Sequence, residues 1–336
     1  MPAGNIADLA IGLQAAKGTA SIVSSVRTYL MDGGLAPVRE TADVEETSGG
    51  RLRNTAYVKS IRGEGSPKIA VRPGVIGMLL YGAMGAKAVT GSSDPWTHTF
   101  TLAATQPYLT FWRSLSGLFE RFADCKITSL NFESTSGGIL ACTVGIVGLQ
   151  PVFKSTIEPT GAAETTEPFL HMDGKGQFLV ETVPVASISA ARVNFATGVA
   201  ATWGDSIQPD QAAEGMQEVV IEAEQTITNY AEWNRFHYGT ATPSDNAVPT
   251  PVIVELAGSG IDFKWSKRTT TGTVATPERS LDISATRVQI LAVEGQDSNN
   301  DGTPIKRTVR YKVYTPASGS GLTAVLKNGT ASYAAS

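Results

Sequence analysis

Along this chain, apolar and polar residues alternate with a period of two in segment after segment, and helical spacing is rare. The rest is organised around residues 63–85, GEGSPKIAVRPGVIGMLLYGAMG. Ile69 and Val71 alternate with Lys68 and Ala70, which predicts a half-buried strand. Pro73 suits a first helical position, where its missing N–H would have no partner anyway. Val75, Ile76, Leu79, Leu80 and Met84 follow at helical spacing and predict one apolar face. Gly85 can end the helix in a left-handed conformation.

The first half predicts a short strand and a Gly-rich turn at 26–34 and further strands at 96–102 and 108–115, after a lead-in at 5–20 with no clear element. Residues 35–59 are polar and carry both signs of charge: Glu40, Asp43, Glu45 and Glu46, then Arg51, Arg53 and Lys59. A stretch of this kind is a solvated loop or exposed hairpin, or else a subunit contact. The clearest hairpin joins ITSLNFES (127–134) to ILACTVGIVGL (139–149) through SGG. Its return arm is apolar on both faces, as in a strand covered on both sides.

Residues 153–168, rich in Pro, Thr, Glu and Ala, read as a linker. Two strands around Pro184 follow, then a second polar stretch at 199–216. EVVIEAEQTITNYAEWNRFHYGTA (218–241) repeats the strand–helix event, with Thr228 as N-cap, Tyr230, Trp233 and Phe236 facing inward, and Gly239 as the stop. Shifted by 157, Tyr81-Gly82 falls on Tyr238-Gly239. Residues 251–258 and 261–266 then correspond to the strands at 96–102 and 108–115, and 281–295 with 304–316 to the hairpin at 124–149. The order predicts an internal duplication. Residues 1–152 form one unit, 153–168 the linker, 169–316 the second unit, and 317–336 a C-terminal extension lying along a partner.

Composition supports a β-rich globular chain: 336 residues, 42% hydrophobic, 17% charged, with 34 Gly and 17 Pro to supply turns. A net charge of −4 argues against a protein that grips nucleic acid by neutralising phosphates. Cys125 and Cys142 lie on opposite arms of the hairpin but not opposite each other, so they read as buried free thiols. The N-terminal MPAGNIADLA has neither the basic region nor the apolar core of a signal peptide, and no apolar run is long enough for a membrane helix. The chain is expected to fold in a reducing cytoplasm.

The search for chemistry returns little. DSNNDG (297–302) matches the first half of a calcium loop, but its twelfth position is Thr308 where a Glu is needed, so a turn is expected. His98, His171 and His237 are scattered. No nucleophile elbow, phosphate loop or dinucleotide fingerprint is present, so neither an enzyme nor a cofactor is expected. Glu218, Glu222 and Glu224 share one face of their strand, opposite Val219 and Ile221. That face is either the solvent side of a sheet or an acidic surface built not to hold a polyanion.

GEGSPKIAVRPGVIGMLLYGAMG, then HTFTL, then CKITSLNFESTSGGILACTVGIVG resemble the major tail tube proteins of long-tailed (siphovirus-type) bacteriophages. The resemblance covers about residues 5–315. It implies mainly β, tail-tube-type barrel or sandwich units, each with one short helix packed outside. It also implies a structural virion protein, made in the host cytoplasm, whose stacked rings form the conduit for DNA ejection. Two units per chain imply trimeric, pseudo-hexameric rings, the alternative being hexamers. Glu218, Glu222 and Glu224 would line the lumen, and Glu40, Asp43, Glu45, Arg51 and Arg53 would reach the adjacent ring. The implied partners are further copies of the chain, a tape measure protein in the lumen, and tail terminator and distal tail proteins, with DNA in transit unbound and no membrane. A β-sandwich adhesin or carbohydrate-binding module remains the alternative, which would account for Trp96, Trp112, Trp203, Trp233 and Trp265, as does another virion or secretion tube subunit.

Overall fold

The computed structural model describes residues 7–23, 26–44, 55–115, 118–150, 153–154, 159–160, 163–170, 178–185, 188–227, 230–251, 253–256, 260–267, 275–295 and 305–333. The first half runs β1 (Ala7–Leu13), β2 (Val26–Asp32), β3 (Leu35–Asp43), β4 (Ala56–Gly65), β5 (Lys68–Ala70), α1 (Pro73–Met84), β6 (Gly85–Thr90), β7 (Trp96–Leu102), β8 (Leu109–Leu115), β9 (Leu118–Thr135), β10 (Ala141–Gly148) and β11 (Phe153–Lys154). Strands β9, β8, β1, β2, β5 and β10 pair in that order and β10 returns to β9, so these six strands close as a barrel, from which β4 and then β3 continue off β10. The unassigned lead-in contains β1, which lies at the centre of this wall with Leu9, Ala10 and Ile11 fully buried. Its core side alternates, but Ala and Gly on the other side flatten the contrast that a strand shows in sequence.

The second half runs β12 (Phe178–Val180), β13 (Val183–Pro184), β14 (Ile188–Ala196), β15 (Ala200–Thr202), β16 (Gln211–Ala213), β17 (Glu218–Thr226), α2 (Ala231–Tyr238), β18 (Ile261–Ser266), β19 (Ser280–Ala285), β20 (Val288–Gly295), β21 (Lys306–Val313) and β22 (Leu322–Asn328). A second sheet is ordered β13-β12-β18-β19-β22-β7-β6 and so draws on both halves. The expected tail is not peripheral, because β22 runs between β19 and β7 with Leu322, Ala324 and Leu326 in the core.

Helix α1 begins with Pro73 after extended Arg72 and ends at left-handed Gly85, whose N–H bonds Tyr81. It differs from the expected outer helix in being buried on nearly all sides, between β9 and β2 below and β7 and β22 above. Gly77 faces the ring of Tyr333 and Gly82 faces Leu109 and Ile127, where a Cβ would collide. Asn328 donates from Nδ2 to the Pro73 carbonyl and to Tyr333 Oη, both at 2.7 Å, and so ties the chain's last strand to the helix start. Helix α2 has no buried residue. Phe236 packs on the core, whereas Tyr230 is 54% exposed, against the expected inward face. Tyr230, with no side-chain cap, precedes α2; Thr228 lies outside the described residues. Of residues 251–258, those described, 251 and 253–256, supply one bridge, Glu255 to Gln289, and no strand where one is expected. Residues 281–295 divide between β19 and β20, which belong to different sheets. The described linker residue Glu164 follows the first barrel, its N–H bonding the Arg27 carbonyl, and just past the linker the N–H of buried Phe169 bonds the Val71 carbonyl.

A path of eight strands, β20-β21-β17-β14-β9-β10-β4-β3, crosses both halves. Its two parts have the same order. Strands β3, β4, β10 and β9 pair as β14, β17, β21 and β20 do. The hairpins also share an irregularity: Thr128 is skipped opposite Gly145/Ile146, and Leu291 is skipped opposite Arg310/Tyr311. The Tyr-Gly coincidence has no such structural counterpart, since Gly82 lies inside α1 and Gly239 ends α2.

Candidate functional site

The two faces of the eight-strand path differ sharply. On β17, Val219, Ile221 and Ala223 point into the core, while Glu218, Glu222 and Glu224 point out together. On neighbouring β21, Val309 and Tyr311 point in, and Lys306, Arg310 and Lys312 point out. The antiparallel register sets Arg310 opposite Glu222 and Lys312 opposite Val220.

On this face each of the three expected carboxylates is held by a cation. Lys312 Nζ donates to Glu218 at 2.6 Å, Arg310 Nε to Glu222 at 3.0 Å, and Lys306 Nζ to Glu224 at 2.8 Å. Ser189 donates a further bond to Glu224. The chain of charge continues across the sheet: Arg192 on β14 approaches Glu222 at 4.0 Å and Glu133 on β9 at 3.2 Å, and Lys68 on β5 bonds Glu133 at 3.2 Å. The Lys306 and Ser189 hydrogen bonds hold Glu224 below the usual carboxylate range, and Lys68 does the same for Glu133. Glu218 pushes Lys312 upward. The cations were legible as a second period-2 pattern, Lys306, Thr308, Arg310, Lys312, but their distance in sequence from β17 hid the pairing.

Of the residues expected to reach an adjacent ring, Glu40 and Asp43 lie on β3, while Glu45, Arg51 and Arg53 lie outside the described residues. Glu40 is bound by Arg62 at 2.7 Å and Ser60 at 3.1 Å, and the Arg62 bond holds its carboxyl below the usual range. Asp43 stands opposite Ala56, exposed near the end of the β3–β4 hairpin. The second polar stretch forms the β15–β16 hairpin and lies on the first half. Ile61 N–H bonds the Ile207 carbonyl at 2.8 Å, Gln106 N–H bonds Glu214 at 2.7 Å, and Lys126 pairs with the same Glu214. The Arg62 guanidinium sits over Trp203 at 5.7 Å.

Little resembles a ligand site. Trp112 and Trp265 are core residues at 0% and 1% exposure, unavailable for stacking on a sugar. Cys125 and Cys142 are buried free thiols, and burial pushes both well above the usual thiol range. DSNNDG and His171 lie outside the described residues. No helix among the described residues is long and apolar enough to cross a membrane.

The site is thus one broad sheet face of a mainly β chain, its charges paired across β17 and β21. The chain matches the model of the phage tail tube protein family over residues 4–285 and belongs to that family. No curated protein sequence matches it. It is accordingly a structural tail tube subunit, placed in the virion tail, where the family's members assemble with themselves and with other tail proteins. Membership of a structural family favours a non-enzymatic role.

Proposed function

We propose that this chain closes into trimeric rings with six-fold pseudo-symmetry, and that the rings stack into the tube through which DNA leaves the virion. The observation that carries this reading is the strand order β3-β4-β10-β9, repeated as β14-β17-β21-β20 with the bulge at the same place. Two units per chain, residues 1–152 and 169–316 joined by 153–168, make three chains equivalent to six simple subunits. A contact between rings that does not close on itself extends them into a filament. The polar stretch at 35–59, with Glu40, Asp43, Glu45, Arg51 and Arg53, is our candidate for that contact.

In this reading the face with Glu218, Glu222 and Glu224 lines the lumen. Phosphate binding is driven by release of counterions as protein cations replace them. Cations already held by carboxylates at 2.6–3.0 Å offer little such gain. Charge pairing, rather than acidity alone, would then keep DNA sliding. Before ejection the same lumen would hold a tape measure protein, and terminator and distal tail proteins would bind the tube ends. Electron microscopy of assembled tubes tests the symmetry: three chains per ring are expected, and six whole chains per ring would overturn the proposal.

A further inference from the structure

The ends of the eight-strand path are open. Among the described residues β3 pairs only with β4, and β20 pairs along its length only with β21, apart from contacts of residues 254–256 at its start. Residues 35–39 and 291–295 therefore present strand edges with no ladder partner, and Leu291 is 38% exposed. Such edges are templates for another strand.

The chain contains a finished example of the missing joint. Where its two halves meet, β9 pairs antiparallel with β14, setting Ser129 opposite Ala196, Asn131 opposite Asn194 and Phe132 opposite Val193. The seam is reinforced at the bulge, where Thr197 N–H bonds the Thr128 carbonyl at 2.9 Å and its hydroxyl bonds Ile127 at 2.7 Å. The shared bulge aligns the two halves residue by residue. Ile146 stands for Tyr311; their partners on the next strands are Gly65 and Ile221, and the partners beyond those are Leu35 and Val193. In the other direction Cys142 stands for Arg307, so Phe132 stands for Gly295. Likewise Ser129 stands for Ala292, and Ala196 for Val38.

We infer that β20 of one chain pairs antiparallel with β3 of a second copy, in the register of the internal seam. Ala292 then lies opposite Val38, Glu294 opposite Ala36, and Gly295 opposite Leu35 of the neighbouring copy. The Arg39 N–H reaches the carbonyl of bulged Leu291, as Thr197 reaches Thr128. Pro37 takes the place of Phe195 and has no N–H to give, so this joint makes one hydrogen bond fewer than the internal seam. A proline on an open edge also blunts its pairing with unrelated strands. The inference rests on the ring reading and supplies the partner edge and the register.

The test is Ala292→Cys with Val38→Cys in the full chain, oxidised after assembly. Directly opposed residues across an antiparallel pair have Cβ atoms about 4.5–5.5 Å apart, close enough for a small backbone adjustment to reach the roughly 3.5–4.5 Å of a disulfide, whereas a pair slipped by two residues is about 7–8 Å apart. Native Cys125 and Cys142 are buried and do not compete. Covalent dimers and trimers that vanish on reduction are expected from the double variant and not from either single one. They are not expected from the slipped pair Ala292→Cys with Glu40→Cys. Rings that form but cross-link only through the slipped pair, or through neither, overturn the register and leave the ring reading standing. Wild-type protein that never forms rings in the microscope overturns both.

Discussion

Asp282 shows how one residue ties stability to pH in this fold. It lies on β19 in the second sheet, and burial followed by the nearby Asp262 pushes its pKa up to about 6, against smaller downward pulls from Lys264 and Lys327. Its Oδ1 has no hydrogen-bond partner among the described residues. Between the ordinary carboxylate value and about 6, the folded chain keeps a proton that the unfolded chain has lost. Stability therefore falls as pH rises through that window. Asp282→Asn removes the ionisation, so the variant should be more stable than its parent at about pH 8, with the gap closing towards about pH 4. Denaturation midpoints across that range check it, and a gap independent of pH would contradict the assignment. The sequence shows Asp282 only as one polar position on an alternating strand; its burial depends on neighbours brought in from elsewhere in the chain.

At the scale of the element, β17 and β21 form a charged ladder whose cations are neutralised in place. Exposed pairs of this kind add little to stability, because solvent screens them, so removing all three carboxylates should leave the fold intact. Glu218→Gln, Glu222→Gln and Glu224→Gln together would leave Lys306, Arg310 and Lys312 without those counter-charges. Tubes should still form, DNA release should slow, and added salt should reduce the slowing, because screening weakens phosphate attraction. Release at the parental rate, measured by dye uptake of ejected DNA, would count against a lumen-facing ladder. Alternation along β17 and β21 placed the charges on one face of each strand, but only the register of the two strands decided that they cancel. Helix α1 teaches the same lesson. Its caps at Pro73 and Gly85 were legible, while its burial on nearly every side was decided by β7 and β22 above it.

At the scale of the molecule, the C-terminal segment is part of the frame. Strand β22 joins β19 of the second half to β7 of the first and buries Leu322, Ala324 and Leu326, with Asn328 and Tyr333 closing over α1. Each fully buried leucine contributes about 1.5–3 kcal/mol, and domains hold only about 5–15 kcal/mol in total. A chain ending at Pro316 should therefore lose cooperative unfolding and become insoluble, rather than lose a dispensable tail. A soluble truncated chain with the parental thermal midpoint would show that β22 is peripheral.

The sequence alone determined the local features: period-2 strands, the capped strand-to-helix turn at 63–85 and the SGG hairpin. These depend on neighbours in the chain, through pleat, turn chemistry and helix caps, which a linear pattern records. Tertiary structure alone decided that β1 closes the first barrel, that β22 binds the halves together, that the acidic stripe is paired with cations, and that β3 and β20 are left as open edges. Those outcomes depend on which strands meet across more than a hundred residues and in what register, and a one-residue change of register turns every side chain to the other face.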